Sequence, residues 1–404
     1  MATKKLEPEP PAAVDRGMRP AWCVLACGIA AAMHVGKLPP AIPALQQDLG
    51  VGVVQSAWLL SAIQCAAMVA GLGLALACTR IGLRRSFAAG LAILALASAS
   101  GGLSRDAGDM LLARAVESVG LLLVVTSGPA LLRSVAPAGR DGWLLAVWGT
   151  FMPAGVAIAM LLAPPVILRA GWSGWWLACA VPTALAGWAF HGLMPKRPGD
   201  AGIPRIDAVA LGRDVVGSPG PGLVGLAFGL YSGTWLLVIG FLPAMLTDHG
   251  FSLAAAARVA AVATIGNVAG NLLAGLLLRR GWQPRYVLAT GFASLVPLLV
   301  AMFADLGQPA AARIAAAIAF SAIGGVIPGT LFPLAARVAP AESAIAATTG
   351  WMVQLSALGQ IAIPPLVASR VVAGGWPAAT PVAILVMLAA IATGLALGPR
   401  HFRR

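Results

Sequence analysis

Charge is what this chain has least of. Asp, Glu, Lys and Arg make up 10% of its 404 residues, against roughly 25% in ordinary soluble domains. Acidic residues are the scarcer kind, 14 against 27 Lys and Arg, so the net charge is +13. A surplus of that size in a soluble protein points to nucleic acid, but nucleic-acid binding needs a basic face, and here the cations punctuate long apolar runs. With 59% hydrophobic residues and a mean hydropathy of +0.88, the composition is that of an integral membrane protein. Cysteine is also sparse. Cys23, Cys27, Cys65, Cys78 and Cys179 lie in or beside apolar runs, where small polarizable side chains pack well. Cys23 and Cys27 are one helical turn apart but lack the second ligand pair of a metal site. Patterns of the HExxH and GxSxG kind are missing, which argues against an intramembrane enzyme. No large soluble appendage of the kind a sensor carries is present. Gly71 and Gly73 sit inside an apolar run and follow no strand, so they read as packing and not as a phosphate cradle. No cofactor is expected.

What is present is apolar sequence in blocks of about twenty residues, the length that crosses a bilayer as a helix. Twelve spans are expected, near 21–41, 53–77, 87–104, 109–133, 142–166, 175–194, 221–246, 253–278, 286–303, 310–336, 344–368 and 380–399. Residues 1–20, rich in Pro and charge and without the apolar centre of a signal peptide, read as a disordered cytoplasmic tail. Pro195 to Gly220 is the only long interior break, and its Pro, Gly and charge read as a cytoplasmic linker. It separates an amino-terminal six-helix bundle, 21–194, from a carboxy-terminal one, 221–399, which ends in a short tail, 400–404. With the amino terminus inside, twenty of the 27 Lys and Arg residues fall on cytoplasmic segments, the bias that orients membrane proteins. Arg105, Arg169, Arg258, Arg313 and Arg370 fall outside, while Lys37 and Arg114 remain within spans. The halves also repeat. Pro164-Pro165 returns as Pro364-Pro365, Pro129 and Arg133 as Pro333 and Arg337, and Pro40-Ala41 as Pro243-Ala244, at offsets of 200 to 204. Repeats of like orientation imply a pseudo-twofold axis along the membrane normal, with a site near the midplane between them.

Three short stretches carry a resemblance. The loop after the second span reads ALACTRIGLRR (75–85), span four contains RAVESVG (114–120), and span five contains WGTFMPAG (148–155). These resemble the major facilitator superfamily over essentially residues 20 to 400. In the family's loop pattern of Gly, three residues, Asp-Arg, any residue, Gly-Arg-Arg, the matching positions are Arg80, Gly82 and Arg84. Ala75, Thr79 and Leu83 depart from it, and Thr79 in place of the Asp puts the family's cytoplasmic latch in doubt. In span four Arg114, Glu117 and Gly120 match a second family pattern, with Ser118 in place of a Gly. Gly149, Pro153 and Gly155 partly match a Gly-Pro motif of exporters, although such spacing equally serves close helix packing and a bend. HVGKLPPAIPAL and GGVIPGTLFPLAARVAP look most similar to bacterial carriers grouped with cyanate and nitroimidazole transporters. The resemblance implies an all-α membrane protein of the major facilitator fold, twelve transmembrane helices in two six-helix pseudo-symmetric bundles, in a bacterial inner membrane with both termini cytoplasmic.

An ionisable group inside a span is costly and marks function by default. His34 and Lys37 on span one, and Arg114 and Glu117 on span four, fall at one depth at 1.5 Å rise per residue. Each pair is spaced i, i+3 and so shares a helix face. By resemblance both spans line the transport cavity, where Lys37 and Arg114 would attract an anion and Glu117 or His34 would carry a coupling proton. The alternatives are that Lys37 snorkels to the outer surface and that Arg114 simply neutralises Glu117. The carboxy-terminal half offers Tyr231, Ser232, Thr234, Trp235, Asn267, Asn271, Trp351, Gln354 and Gln360, either as contacts to a polar ligand or as helix-to-helix bonds. The expected function is secondary active transport of a small polar, anionic solute by alternating access, coupled to protons. Proton-driven drug efflux is the alternative. The expected partners are the solute, the bilayer and protons, with no nucleic acid, and the chain is expected to work as a monomer.

Overall fold

The structure, a computed structural model, describes residues 18–137, 140, 144, 147–194, 208–341, 344–398 and 401. Most of the expected tails at 1–20 and 400–404, and the first half of the linker at 195–220, lie outside the described residues. The first crossing is built from α1 (Arg19–Gly36), a 3-10 turn at Pro39–Ala41 and α2 (Ile42–Asp48). The second is α3 (Val53–Ala62) with α4 (Cys65–Ile81), the third α5 (Leu83–Gly101), and the fourth α6 (Ala107–Val135). Then come α7 (Phe151–Leu193) and the linker helix α8 (Ala208–Gly217). The second half follows with α9 (Pro219–Asp248), α10 (Leu253–Arg279), α11 (Pro284–Phe303), α12 (Ala310–Gly324), α13 (Val326–Val338), α14 (Ile345–Gly374) and α15 (Ala379–Ala396). No strand occurs among the described residues.

Among the described residues, ten helical stretches are long and apolar enough to cross a membrane by length and composition. One of them, the 43-residue α7, is two crossings, because Gly171 (φ 67°, ψ −179°) leaves the helical region. That φ is open to glycine and strained for other residues. Both arms return to α1: Gly155 lies against Ile29, and the Cys27 thiol donates to the Ala186 carbonyl at 3.4 Å. With α5, whose first turn holds Arg84 and Arg85, the twelve expected crossings are present. Gly375 (φ 70°, ψ −175°) ends α14 in the same way, 204 positions after Gly171, and each glycine is followed by a tryptophan. The internal duplication is therefore visible in backbone dihedrals as well as in prolines.

Several boundaries differ from the expected spans for local reasons. The first crossing runs on to Asp48 because Pro39 and Pro40 occupy the opening positions of a new turn, where a missing N–H costs nothing. The second crossing breaks at Ile63 and Gln64, where neither glycine nor proline stands. In the linker, α8 is helical where an irregular segment was expected; Val215 is buried in a small cluster with Ala344 and Ala347.

Between helices in lipid, close approach of small residues replaces the hydrophobic driving force. Gly155 meets the carbonyl of Ile29, and its repeat counterpart Gly359 meets the carbonyl of Gly229, so closely that a Cβ at either position would collide. These contacts join α1 to the first arm of α7 and, equivalently, α9 to α14. The halves meet along three seams: α14 on α3 and α4, α10 on α7, and the Pro39–Ala41 turn on α9.

Candidate functional site

The charges of spans one and four converge. His34, Lys37, Arg114 and Glu117 are each 0% exposed and form one network in the amino-terminal bundle. Glu117 is its only anion. Lys37 Nζ donates to Glu117 Oε1, and Arg114 Nη1 donates to Glu117 Oε2 at 2.7 Å. Lys37 Nζ also donates to Ser98 Oγ at 2.7 Å and to His34 Nδ1 at 3.2 Å, and it lies 4.7 Å from the centre of the Trp176 ring. Ser98 passes its own proton to the Trp176 carbonyl at 2.8 Å. His34 Nε2 bonds Thr183 Oγ1 at 2.8 Å, and that hydroxyl donates to the Cys179 carbonyl at 3.0 Å. The tautomer with its proton on Nε2 satisfies every bond in this chain.

Breaks in the neighbouring helices explain the remaining donors. Where the first crossing is interrupted, Arg114 Nη1 bonds the His34 carbonyl at 2.7 Å and Trp175 Nε1 bonds the Lys37 carbonyl at 2.9 Å. At the break in the second crossing, Ile63 N–H turns to Ser61, and Arg114 Nε takes the freed Leu59 carbonyl at 3.3 Å. Ser118 Oγ accepts from Ala66 N at 3.1 Å on the far side of the break. Side chains of α6 thus replace ladder bonds that α3 and α4 forgo, which is how a broken helix is tolerated in a bilayer. Arg114 Nη2 is buried without a hydrogen-bond partner.

Lys37 does not snorkel outward; it points at α5 and at the second arm of α7, inside the bundle. Ser98, Thr183, Trp175 and Trp176 were not singled out from sequence. Serine and threonine are common in spans and carry no mark of their own; the close spacing of Trp172, Trp175 and Trp176 is the one feature that could have drawn attention to this face. In the other half, Asn267 Nδ2 donates to Tyr231 OH at 2.7 Å and to the Ser321 carbonyl at 3.0 Å. Trp235 Nε1 donates to Ser321 Oγ at 3.1 Å, and Asn271 Nδ2 to the Asn267 carbonyl at 3.0 Å. Ser321 stands 204 positions after Glu117, the offset of the Pro129 and Pro333 pair. The repeats therefore hold equivalent polar cores, one charged and one neutral. Ser232, Ser356 and Gln360 form a further string between α9 and α14: Ser356 Oγ donates to Ser232 Oγ at 2.8 Å, and Gln360 Nε2 to Ser356 Oγ at 3.2 Å. Thr234 bonds within its own helix.

Gln354 belongs to neither core. Its Nε2 donates to the Met68 carbonyl at 2.8 Å, while Leu72 N donates to its Oε1 at 3.2 Å. One amide thereby spans a rung of α4 from the opposite half, beside Gly71, where an added Cβ would lie 3.3 Å from the Gln354 Cβ. Trp351 packs nearby with Leu72 and Val215, its Nε1 buried without a partner. In the loop motif, Gly82 (φ 99°) turns the chain between α4 and α5, and Arg84 Nη2 donates to the His191 carbonyl at 3.2 Å. The side chain of Arg80 lies outside the described residues.

Comparison with known proteins agrees with this architecture. The profile of the Major Facilitator Superfamily matches residues 24–364. An uncharacterized MFS-type transporter of Mycobacterium tuberculosis is 27% identical over 207 residues, 49% of this chain and 34% of that protein. A puromycin resistance protein of Streptomyces alboniger is 30% identical over 161 residues, 39% of this chain and 31% of that protein. A tetracenomycin C resistance and export protein of Streptomyces glaucescens is 26% identical over 130 residues, 32% of this chain and 24% of that protein. The chain thus spans about a third of the length of these curated relatives or less. Among solved structures, a bacterial homologue of the human lysosomal transporter Spinster, inward-facing and occupied, superposes with a TM-score of 0.73 at 13% identity, over 97% of this chain and 100% of that one. A D-xylose–proton symporter gives 0.72 at 14% identity, over 94% and 96%.

Proposed function

The chain belongs to the major facilitator superfamily, and from that premise we propose that it is a secondary exporter of small amphiphilic organic solutes, driven by protons and working by alternating access of its two halves. The observation that carries this reading is where the charge lies. Among the described residues, the charged side chains in the middle of the spans are Lys37, Arg114 and Glu117, all buried within one bundle and bonded to each other. The seam between the halves is lined instead by neutral groups such as Gln354 and Trp351. A solute held there meets amide, indole and apolar surface, which suits amphiphilic molecules better than a compact anion. The names of the two Streptomyces relatives support the same direction.

In this scheme the charged network is the coupling element. Both oxygens of Glu117 are occupied, so a proton arriving there displaces Lys37 or Arg114. Arg114 in turn holds the broken backbone of α3. His34, between Lys37 and Thr183, offers a route for that proton. Gln354 and the polar core of Tyr231, Trp235 and Asn267 orient the opposite half, and Arg80, Gly82 and Arg84 shape the loop where the cytoplasmic ends move. Both termini face the cytoplasm of a bacterial inner membrane, supported by the distribution of Lys and Arg.

A second reading, transport of a small anion, rests on one observation: Arg114 Nη2 is buried and unpaired. Purified protein in proteoliposomes under a pH gradient separates the two. Puromycin and tetracenomycin C form one arm of the panel, and small carboxylates and cyanate the other. Proton-driven movement of the aromatic compounds is expected; movement of anions alone, lost in Arg114→Gln, would overturn the exporter reading.

A further inference from the structure

A cavity of about 420 Å³ lies far from both polar cores, where the ends of α10, α11, α13 and α15 meet. Its walls include Leu278, Trp282, Gln283, Arg285, Arg337 and Leu397. Two guanidinium groups thus stand beside apolar side chains from separate helices, at the ends of those helices. Arg285 is held in place: its Nε donates to Gln283 Oε1 at 3.0 Å, its Nη2 to Tyr286 OH at 3.0 Å, and its guanidinium lies 4.6 Å from the Tyr286 ring centre.

The charge of the turn between α10 and α11 is of one sign. The turn between α10 and α11 carries Arg279, Arg280 and Arg285, and no acidic residue occurs between His249 and Ala304. Clusters of four to eight basic residues at the cytoplasmic end of a crossing attract anionic headgroups. Basic pockets between transmembrane helices select the headgroup further, because a phosphate oxygen accepts from guanidinium while the glycerol and upper acyl carbons need apolar walls.

We propose that this cavity seats the phosphate of an anionic membrane phospholipid, with Arg285 and Arg337 as its donors, Trp282 at the interface and Leu278 against the upper chain. Lipid occupancy there ties four helix ends of the carboxy-terminal half together.

The test uses the full chain in neutral detergent. The thermal midpoint is followed on adding phosphatidylglycerol, phosphatidylcholine or inorganic phosphate, and retained lipid is counted by native mass spectrometry. Phosphatidylglycerol is expected to raise the midpoint by several degrees, with the rise shrinking as ionic strength increases. Arg285→Gln and Arg337→Gln should each lose about half of that rise, whereas Arg279→Gln, outside the cavity, should keep it. Equal stabilisation by phosphatidylcholine, or by phosphate alone, overturns the proposal. So does a double Arg285→Gln, Arg337→Gln variant that keeps the full rise and the bound lipid.

Discussion

Lys37→Met and Glu117→Gln each delete the same ion pair, yet their costs should differ by about 2 kcal/mol. Glu117 is the only anion of the cluster, facing Lys37 and Arg114 at complete burial. Replacing it with Gln leaves two cations in the bundle without a counter-charge, and its single carbonyl oxygen accepts from one of them while its NH2 turns toward the other. Breaking a buried pair from one side in this way costs about 3–5 kcal/mol. Removing Lys37 instead leaves Arg114 and Glu117 as a neutral pair, with His34 counted as uncharged. A Met of similar length fills the space; Ser98, His34 and Glu117 Oε1 each lose a donor, about 2 kcal/mol in all, because Ser98 keeps the Trp176 carbonyl and Glu117 keeps Arg114. Equilibrium unfolding in mixed micelles, followed by tryptophan fluorescence, reads both values, and the double variant supplies the coupling between the two sites. A Lys37→Met protein as unstable as Glu117→Gln, or zero coupling, would refute the charge balance drawn here.

Three further outcomes are expected. Gln354→Leu removes both bonds across the α4–α14 seam and should shift the equilibrium between states by roughly tenfold, seen as slower disulfide formation in a Leu72→Cys, Ala347→Cys pair; an unchanged rate contradicts the bridge. Gly359→Ala forces a Cβ onto the Gly229 carbonyl and should cost about 1–3 kcal/mol, whereas Gly187→Ala, with its nearest atom at 3.6 Å, should leave the thermal midpoint unchanged. Cys65 is half-buried beside the break in the second crossing while Cys23, Cys27, Cys78 and Cys179 are buried, so a membrane-permeant maleimide should label Cys65 first, and Cys65→Ser should abolish that first label.

The juxtaposition of His34, Lys37, Arg114 and Glu117 was legible in the chain because depth along a helix follows from residue count. Their orientation was not, since two i, i+3 pairs fix a face of each helix but not what that face meets. Gln354 illustrates the limit. Its partners are the carbonyl of Met68 and the amide of Leu72, 286 and 282 positions away, and backbone groups leave no mark in side-chain identity. The break at Ile63 was equally hidden, because it is held by Arg114 and Ser118 from another helix and not by a local glycine or proline. Gly171 and Gly375 were within reach, as each precedes a tryptophan at the repeat offset.

The sequence by itself determined the twelve crossings, their two repeats and the shared level of His34, Lys37, Arg114 and Glu117. In a bilayer every backbone polar group must find a partner without water, so an apolar run of sufficient length has little choice but helix. Tertiary structure alone decided that Lys37 turns inward to Ser98 and Trp176, that Arg114 mends a neighbouring helix, and that Gln354 joins the halves. Those are contacts between segments far apart in the chain, and they depend on helix rotation and close approach, which are set by packing against neighbours and not by the composition of any one span.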